Sequence, residues 1–145
     1  MIDSKREDEL RRDVEMLYFG YRAFTSLADS ILADYGLGRS HHRILYFVQR
    51  DPGISVGDLV LVLKVTKQAI HRPLKELEER GLLTVTPDPQ DRRFRRVTTT
   101  ASGAELEERL TGAQTRLLAE VFAEFDEATE VRWRHVMMRL AETDE

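Results

Sequence analysis

Four arginines close together give the middle of this chain the chemistry of an anion-binding surface. They are Arg92, Arg93, Arg95 and Arg96, which fill four of five consecutive positions. Cations this dense on a small surface repel one another unless an anion relieves them, and a phosphate backbone is such an anion. The competing interpretation is a solvated hairpin in which Asp88 and Asp91 orient one or two of the arginines.

A second polar surface lies in VTKQAIHRPLKELEERGLL, residues 65–83, which has the apolar spacing of an amphipathic helix. At about 100° per residue, its apolar face contains Ile70, Leu74 and Leu77. The opposite face contains Gln68, Arg72 and Lys75, with His71 at its edge. Side chains of these types read base edges and phosphates in DNA. The second half of the helix is acidic, so we expect only about its first two turns to enter a groove.

Pro73 lies inside this helical pattern. A proline there removes a backbone donor and clashes with the preceding turn, at a cost of about 3 kcal/mol. Its wheel position is next to the apolar face and away from Gln68 and Arg72. We therefore predict that the helix continues through Pro73, and we hypothesise that it bends there.

The charge distribution favours an anionic partner for the middle segment alone. The net charge is −4, yet residues 64–96 carry nine basic and five acidic side chains, a net charge of +4. The segments before and after them have net charges of −2 and −6. With no cysteine, no long apolar run and a charged start, the chain is expected to be soluble and cytoplasmic, with no disulfide and no membrane partner.

Catalysis and metal binding find no support in the residue pattern. There is no G-x-S-x-G, phosphate-binding glycine loop or H-E-x-x-H motif, so neither an enzyme activity nor a cofactor is predicted. His41 and His42 are adjacent and point about 100° apart on a helix, with no carboxylate cluster at ligand spacing. We expect no metal site, with one of the two histidines packed at a helix junction and the other solvated.

Helices are predicted before and around the amphipathic segment at residues 65–83. Residues 7–34 carry a heptad-like apolar stripe and predict one long helix. Ser40 is predicted to cap a second helix, Ser55 a short third one and Thr66 the helix that contains Pro73. These three hydroxyl residues are followed by the apolar periodicity that marks helix starts.

The period then changes to that of β-strands. Alternating β-branched residues on either side of PDPQD predict a hairpin over residues 82–99. Thr100 or Ser102 starts a long helix to about residue 125, and a last helix covers about 127–142. The fold class is therefore mainly α with a small β-hairpin wing (α+β). It is a winged helix-turn-helix over residues 37–100, flanked by helical dimerisation segments at 1–36 and 101–145, in one intertwined domain.

The sequence of residues 37–103 resembles the MarR-type winged-helix regulators of bacteria. The most specific motifs are LEERGLL at 77–83, Asp91-x-Arg93 in the hairpin, and Thr100-x-x-Gly103 at the next helix. The resemblance implies a homodimer with interlocking terminal helices, a recognition helix that faces DNA, and a wing whose Arg93 probes the minor groove while Asp91 steadies it. Thr99, where the family usually has leucine, and Pro73 depart from its pattern.

The residues and the resemblance together give a set of expected DNA contacts. On the recognition helix these are Lys67, Gln68, Ala69, His71, Arg72 and Lys75. At the helix start and the turn they are Ser55 and Thr66. In the wing they are Asp91, Arg92, Arg93, Arg95 and Arg96.

The flanking helices carry more apolar side chains than a small winged helix covers, which favours a homodimer over a monomer with extra packed helices. The expected interface residues are Leu10, Val14, Leu17, Val131, Val136 and Leu140, and Trp133 is expected to be buried in the same region. A two-fold dimer places its recognition helices about 34 Å apart on a pseudopalindromic duplex.

Regulators of the resembled family often bind a small effector, frequently an anionic aromatic, between the DNA-binding lobe and the dimer helices. The residues expected to line such a cleft are Tyr18, Tyr21, Arg22, His42 and Tyr46. Core packing is the competing interpretation for aromatic side chains at helical spacing. For the whole chain, the alternative to a DNA-binding regulator is a protein-interaction module whose winged helix binds an acidic protein surface.

Overall fold

The computed structural model describes residues 2–144, which form six helices and a three-stranded antiparallel sheet. In chain order these are α1 (Ser4–Asp34), α2 (Arg39–Arg50), β1 (Ile54–Ser55), α3 (Val56–Leu63), α4 (Lys67–Glu79), β2 (Leu83–Pro87), β3 (Arg95–Thr99), α5 (Ala101–Phe122) and α6 (Glu127–Ala141). This order confirms the predicted fold class. The outer limits of the predicted terminal segments, residues 1 and 145, lie outside the described range. None of the helices in residues 2–144 combines the length and apolar composition that crossing a bilayer requires.

The sheet contains one strand more than the sequence predicted. Its order is β1-β3-β2, with Ile54 opposite Val97 on one side of β3 and Val85 opposite Val97 on the other. The predicted hairpin is confirmed, but its second strand begins at Arg95 because the residues before it form the turn. A two-residue strand such as β1 is too short to show a period, so only its pairing with β3 reveals it.

Side-chain caps fix the starts of the helices that carry the basic surface. The Ser55 hydroxyl accepts the N–H of Asp58 at 3.0 Å, and the Thr66 hydroxyl accepts the N–H of Ala69 at 3.0 Å. Both predicted caps are confirmed. The predicted cap at Ser40 is wrong, because the N-cap is Gly38 and α2 begins at Arg39, two residues earlier than a cap at Ser40 requires.

The end of α4 is joined closely to the start of α5. The chain leaves α4 through Gly81 at φ +71°, a left-handed conformation that favours glycine. The Thr100 hydroxyl donates to the carbonyl of Gly81 at 2.6 Å and accepts the N–H of Gly103 at 3.1 Å, so Thr100, not Ser102, is the cap. A Cβ on Gly103 would lie 1.9 Å from the carbonyl oxygen of Leu82. The motifs LEERGLL and Thr100-x-x-Gly103 are thus two sides of one backbone contact.

A single apolar core lies beneath α4 and the sheet and extends between α1, α2 and α5. The three residues predicted for the inner face of α4 are all buried: Ile70, Leu74 and Leu77. Thr99, the departure from the family pattern, ends β3 opposite Leu83 and donates from its hydroxyl to the side-chain oxygen of Gln49 at 2.5 Å. The strand register therefore tolerates this residue.

Candidate nucleic-acid interface

The outer face of α4 is free of the protein core. All six residues predicted for it are exposed: Lys67, Gln68, Ala69, His71, Arg72 and Lys75. Arg72 is the most open of the measured side chains, with 87% of its area accessible. Because Thr66 caps the helix, five of these residues lie in its first two turns, the part expected to enter a groove, and Lys75 lies just beyond them.

The prediction that α4 continues through Pro73 is confirmed, and the proline ring is buried beside Leu74. Burial explains how the position is tolerated, because the ring adds apolar contact while its missing donor affects one helical turn. Whether the axis bends at Pro73 stays a hypothesis.

Glu76 links the exposed face of α4 to the start of α2. Its carboxylate Oε1 lies 3.5 Å from Arg72 Nε and 3.5 Å from His41 Nε2. His41 Nδ1 accepts the backbone N–H of Gly38 at 3.0 Å, so the neutral ring carries its proton on Nε2, facing Glu76. At 3.5 Å this is an electrostatic contact, and Nε2 has no hydrogen-bond partner within residues 2–144.

The prediction that one of the adjacent histidines is solvated is wrong, because His41 and His42 are both buried. They face different neighbours: His41 faces α4, and His42 Nε2 lies 3.1 Å from the hydroxyl of Thr111 on α5. The sequence does not show that α2 has helices on both of these sides. Among the residues described, no group of three His, Cys, Asp or Glu is placed to hold a metal ion.

Two of the four wing arginines form ion pairs with aspartates of the same hairpin. Arg93 binds both carboxylate oxygens of Asp91, at 3.0 and 2.9 Å, and Arg96 binds Asp88 at 2.9 Å. Asp91 accepts side-chain and backbone hydrogen bonds from Arg93, which hold the pKa of its carboxyl below the usual value. Asp88 also has a lowered pKa, because the backbone N–H of Gln90 and then the Arg96 side chain bind it. The expectation that these two aspartates orient arginines is confirmed.

The other two wing arginines remain available. Within residues 2–144, neither Arg92 nor Arg95 has a carboxylate within 4.0 Å, and both are exposed. Arg93 keeps 86% of its side chain exposed despite its pairing, whereas Arg96 also reaches the carbonyl of Gly53. Arg96 is therefore part of the hairpin framework, and Arg92, Arg93 and Arg95 present the charge of the wing.

A cleft of about 600 Å³ separates α4 from the wing. Lys67, His71 and Lys75 line one side and Arg93, Phe94 and Arg95 the other. Its apolar lining includes Ile70, Leu74 and Val85. The two basic surfaces singled out in the sequence therefore border one space.

The two predicted contacts at helix starts differ in position. Thr66 is exposed at the start of α4. Ser55 is only 7% exposed and its hydroxyl caps α3, but the residue lies on the lining of the cleft between α4 and the wing, and its contact with DNA stays a prediction.

A second cavity, of about 390 Å³, lies between α1, α2 and α5. Three of the five residues predicted for an effector cleft line it, namely Tyr21, His42 and Tyr46. Tyr18 and Arg22 are not part of its lining, and both side chains are exposed. The prediction missed two cations of α2 that do line it, Arg39 and Arg43.

These two arginines are held differently. Arg39 Nη2 binds Asp29 at 2.8 Å, and this hydrogen bond lowers the pKa of the Asp29 carboxyl. Arg43 Nη2 donates to the hydroxyl of Tyr21 at 3.0 Å and has no carboxylate within 4.0 Å among the described residues. Burial, followed by the charge of Arg43, lowers the pKa of His42. The cavity therefore contains one uncompensated cation next to an uncharged imidazole.

The terminal helices leave large apolar side chains in solvent. Val14 and Leu17 of α1 are 67% and 51% exposed, and Val131, Val136 and Leu140 of α6 are 48%, 64% and 47% exposed. The remaining predicted interface residue, Leu10, is half-buried, and α6 buries no side chain at all. Trp133 is 43% exposed, so the single chain does not bury it; its ring lies 5.3 Å from that of Phe122.

The fold and its basic cleft define a winged helix-turn-helix protein. The sequence model of the MarR family matches residues 35–93. HTH-type transcriptional regulator PetP of Rhodobacter capsulatus is 41% identical over 108 residues, covering 74% of this chain and 65% of PetP. Transcriptional activatory protein BadR of Rhodopseudomonas palustris is 34% identical over 89 residues, covering 61% of this chain and 51% of BadR. The chain is similar to the MarR family over its winged helix-turn-helix segment, and it spans between about half and two thirds of the length of these curated relatives.

Solved structures agree with this placement. The crystal structure of MarR is 27% identical, with a TM-score of 0.70 over 93% of this chain and 90% of MarR. MarR family transcription regulator SP03579, at 21% identity, has a TM-score of 0.80 over 97% of this chain and 93% of that one. The S. aureus MepR–DNA complex, at 17% identity, has a TM-score of 0.74 over 90% of this chain and 96% of MepR. The last two likenesses concern the fold alone.

Proposed function

We propose that this chain is a sequence-specific, double-stranded-DNA-binding transcriptional regulator that acts as a homodimer on a pseudopalindromic operator. The observation that carries the proposal is the cleft bordered by both the exposed face of α4 and the free arginines of the wing. Its relatives PetP and BadR are transcriptional regulators, and the fold neighbour MepR has been crystallised with DNA.

In this function α4 lies in the major groove. Gln68 and Arg72 face the base edges, because amide and guanidinium groups pair with adenine and guanine there. Lys67 and Lys75 contact phosphates, which fix the position of the helix but carry no sequence information. Arg93, held by Asp91, enters the minor groove. If Pro73 bends α4, Pro73→Ala weakens operator binding, and unchanged affinity would rule out that role.

The exposed apolar faces of α1, α5 and α6 support the homodimer. Val14 and Leu17 of α1, Val136 of α6 and Phe125 between α5 and α6 are each more than half exposed in the single chain, and Val121 of α5 is 43% exposed. Contiguous apolar surface of this kind marks an interaction site, and a second copy of the same helices covers it. Residues 1–36 and 101–145 would then form the dimerisation region and residues 37–100 the DNA-binding region.

The experiment that tests DNA binding begins with the genomic DNA that copurifies with the chain. Fragments recovered by sequencing are labelled, and their affinity is measured at several salt concentrations. We expect a shared two-fold motif and a steep loss of affinity with salt. Arg93→Ala should weaken binding to all fragments and make the salt dependence shallower. No bound fragment, together with a stable complex with another protein, would favour the protein-interaction alternative.

We further propose that a small anionic aromatic effector binds the cavity between α1, α2 and α5 and releases the operator. Arg43 provides a cation without a carboxylate partner among the described residues, and Tyr21 and Tyr46 provide aromatic walls. Benzoate serves as the probe. It should raise the unfolding temperature of the unaltered protein and of Arg50→Gln, but not of Arg43→Gln. Equal shifts for both variants would contradict an anion site at Arg43.

A further inference from the structure

Phe94 occupies an unusual place in the wing. It is the last residue of the hairpin turn, between Arg93 and Arg95, and 51% of its surface is exposed. Burying a phenylalanine side chain is worth about 1.5–3 kcal/mol, so a ring left half in water forgoes part of that stabilisation. No aromatic ring among residues 2–144 packs against it as a partner.

The hairpin turn is held without the ring of Phe94. The backbone N–H of Phe94 donates to the carbonyl of Asp91 at 3.0 Å, and its carbonyl accepts the N–H of Asp88 at 2.8 Å. The Asp88 carboxylate also accepts the N–H of Gln90 at 2.8 Å. Any residue supplies these backbone groups, so the turn does not require an aromatic side chain at position 94.

The ring instead lines the cleft between α4 and the wing. The same space contains the apolar side chains of Leu74 and Val85 and the cations of Lys67 and Arg95. Neither Lys67 nor Arg95 has a carboxylate within 4.0 Å among the described residues. The cleft thus combines an apolar wall with an excess of positive charge, because four Lys and Arg side chains line it against the single carboxylate of Glu78.

A DNA strand has the complementary chemistry, because apolar deoxyribose faces separate its phosphates. In the proposed function α4 reads the major groove and Arg93 the minor groove. The strand between the two grooves must then pass between α4 and the wing, through this cleft. Its phosphates meet Lys67 and Arg95, and the sugar between them faces the ring of Phe94.

We propose that Phe94 is a DNA-contacting residue that packs against a deoxyribose of the strand seated in the cleft. This inference rests on the proposed DNA-binding function. It adds an apolar contact to an interface otherwise built from charges, and the contact acts on every sequence because every nucleotide has the same sugar.

The test compares Phe94→Ala with Arg95→Ala on one operator fragment across a range of salt concentrations. Phe94→Ala should weaken binding by about 10- to 100-fold at each concentration, because each of the two copies in the proposed homodimer loses the partial burial of one ring. The slope of log affinity against log salt should not change, because an apolar contact releases no counterion. Arg95→Ala should weaken binding and also make the slope shallower by about 1.8, or about 0.9 for each copy in the proposed homodimer. Phe94→Leu should retain most of the affinity.

Each result decides the question. Binding by Phe94→Ala within twofold of the unaltered chain, or a loss accompanied by a shallower slope, would overturn the role of Phe94 while leaving the proposed function intact. Failure of the unaltered chain to bind any genomic fragment would overturn both. Thermal unfolding of Phe94→Ala provides the control for folding, and if this variant unfolds early, Phe94→Ser, which also lacks the ring, replaces it in the comparison with the same expected loss.

Discussion

At the scale of single residues, the four wing arginines have two different environments. Arg96 lies on β3, bound to the carboxylate of Asp88 and close to the carbonyl of Gly53. Arg92 and Arg95 have no such partners among the described residues. A run of identical side chains therefore divides into framework and available charge, according to which face of the hairpin each side chain occupies.

Arg96→Ala and Arg92→Ala should separate these roles. Arg96→Ala leaves the partly shielded carboxylate of Asp88 without its guanidinium, so we expect a measurable decrease in the free energy of unfolding. Arg92→Ala should leave that free energy within about 0.5 kcal/mol, since its side chain is exposed. Urea unfolding measures both. Equal stability of the two variants would contradict a framework role for Arg96.

His42 should make the stability of the protein depend on pH. Burial lowers the pKa of its imidazole in the folded chain, so the unfolded chain binds more protons once the pH falls below about 6.5. The free energy of unfolding should therefore decrease as the pH falls from this value towards the lowered pKa. His42→Gln keeps a partner for Thr111 but has no proton to gain, so its stability relative to the unaltered chain should rise from pH 7.5 to 5.5. Parallel pH profiles for the two proteins would refute this.

At the scale of elements, the junction between α4 and α5 depends on close backbone approach. Gly103→Ala would place a methyl group 1.9 Å from the carbonyl oxygen of Leu82, a contact that requires α5 to move. We expect a loss of about 1–3 kcal/mol in the free energy of unfolding, typical of overpacking. The measurement is urea unfolding at fixed protein concentration.

Gly112→Ala provides the matched control within α5. Its new methyl group would meet only the flexible end of Arg116, at 3.2 Å. Replacing a glycine inside a helix with alanine is then worth about 0.5–1 kcal/mol of added stability. Should both alanine variants behave alike, the contact between Gly103 and Leu82 would not be the cause.

The elements themselves were largely predictable, and the reason is local. Thr66 and the spacing of Ile70, Leu74 and Leu77 predict the start and inner face of α4 from interactions within one helix. Strand β1 was not predictable, because two residues have no pattern of their own and become a strand only by pairing with β3. The N-cap at Gly38 was missed because glycine has no capping side chain. Its backbone N–H instead donates to the ring of His41, a residue inside the helix that Gly38 caps.

The same distinction between local and non-local interactions separates the predicted from the missed features of the candidate sites. The outer faces of α4 and the wing were predicted because exposure follows from the periodicity of each element. Three features were not predicted: the environment of Arg96, the burial of His41 and the arginines of the α2 cavity. Each depends on which element packs on the opposite side. Amphipathic patterns predict which side of an element faces inward, but not which neighbour it meets there.

At the scale of the whole molecule, the exposed apolar helices predict that the chain associates with itself. Val136→Glu introduces a charge at a position 64% exposed in the single chain, so its fold should tolerate the change while the proposed dimer does not. Leu61→Glu, at a 74% exposed position on α3, is the control outside the proposed dimerisation region. Light scattering should give the mass of two chains for the unaltered protein and Leu61→Glu, and of one chain for Val136→Glu. A two-chain mass for all three would place the interface elsewhere.

The contact between Gly103 and Leu82 has a mechanical consequence. No side chain separates the backbone at the end of α4 from the backbone at the start of α5. These two segments therefore rotate together as a rigid unit. Helix α5 is 22 residues long, or about 33 Å at 1.5 Å per residue. If α5 tilts by about 10° about its C-terminal end, its N-terminal end, where α4 is attached, moves by about 6 Å. A small change of angle among the terminal helices therefore becomes a shift of α4 comparable to the width of a DNA minor groove.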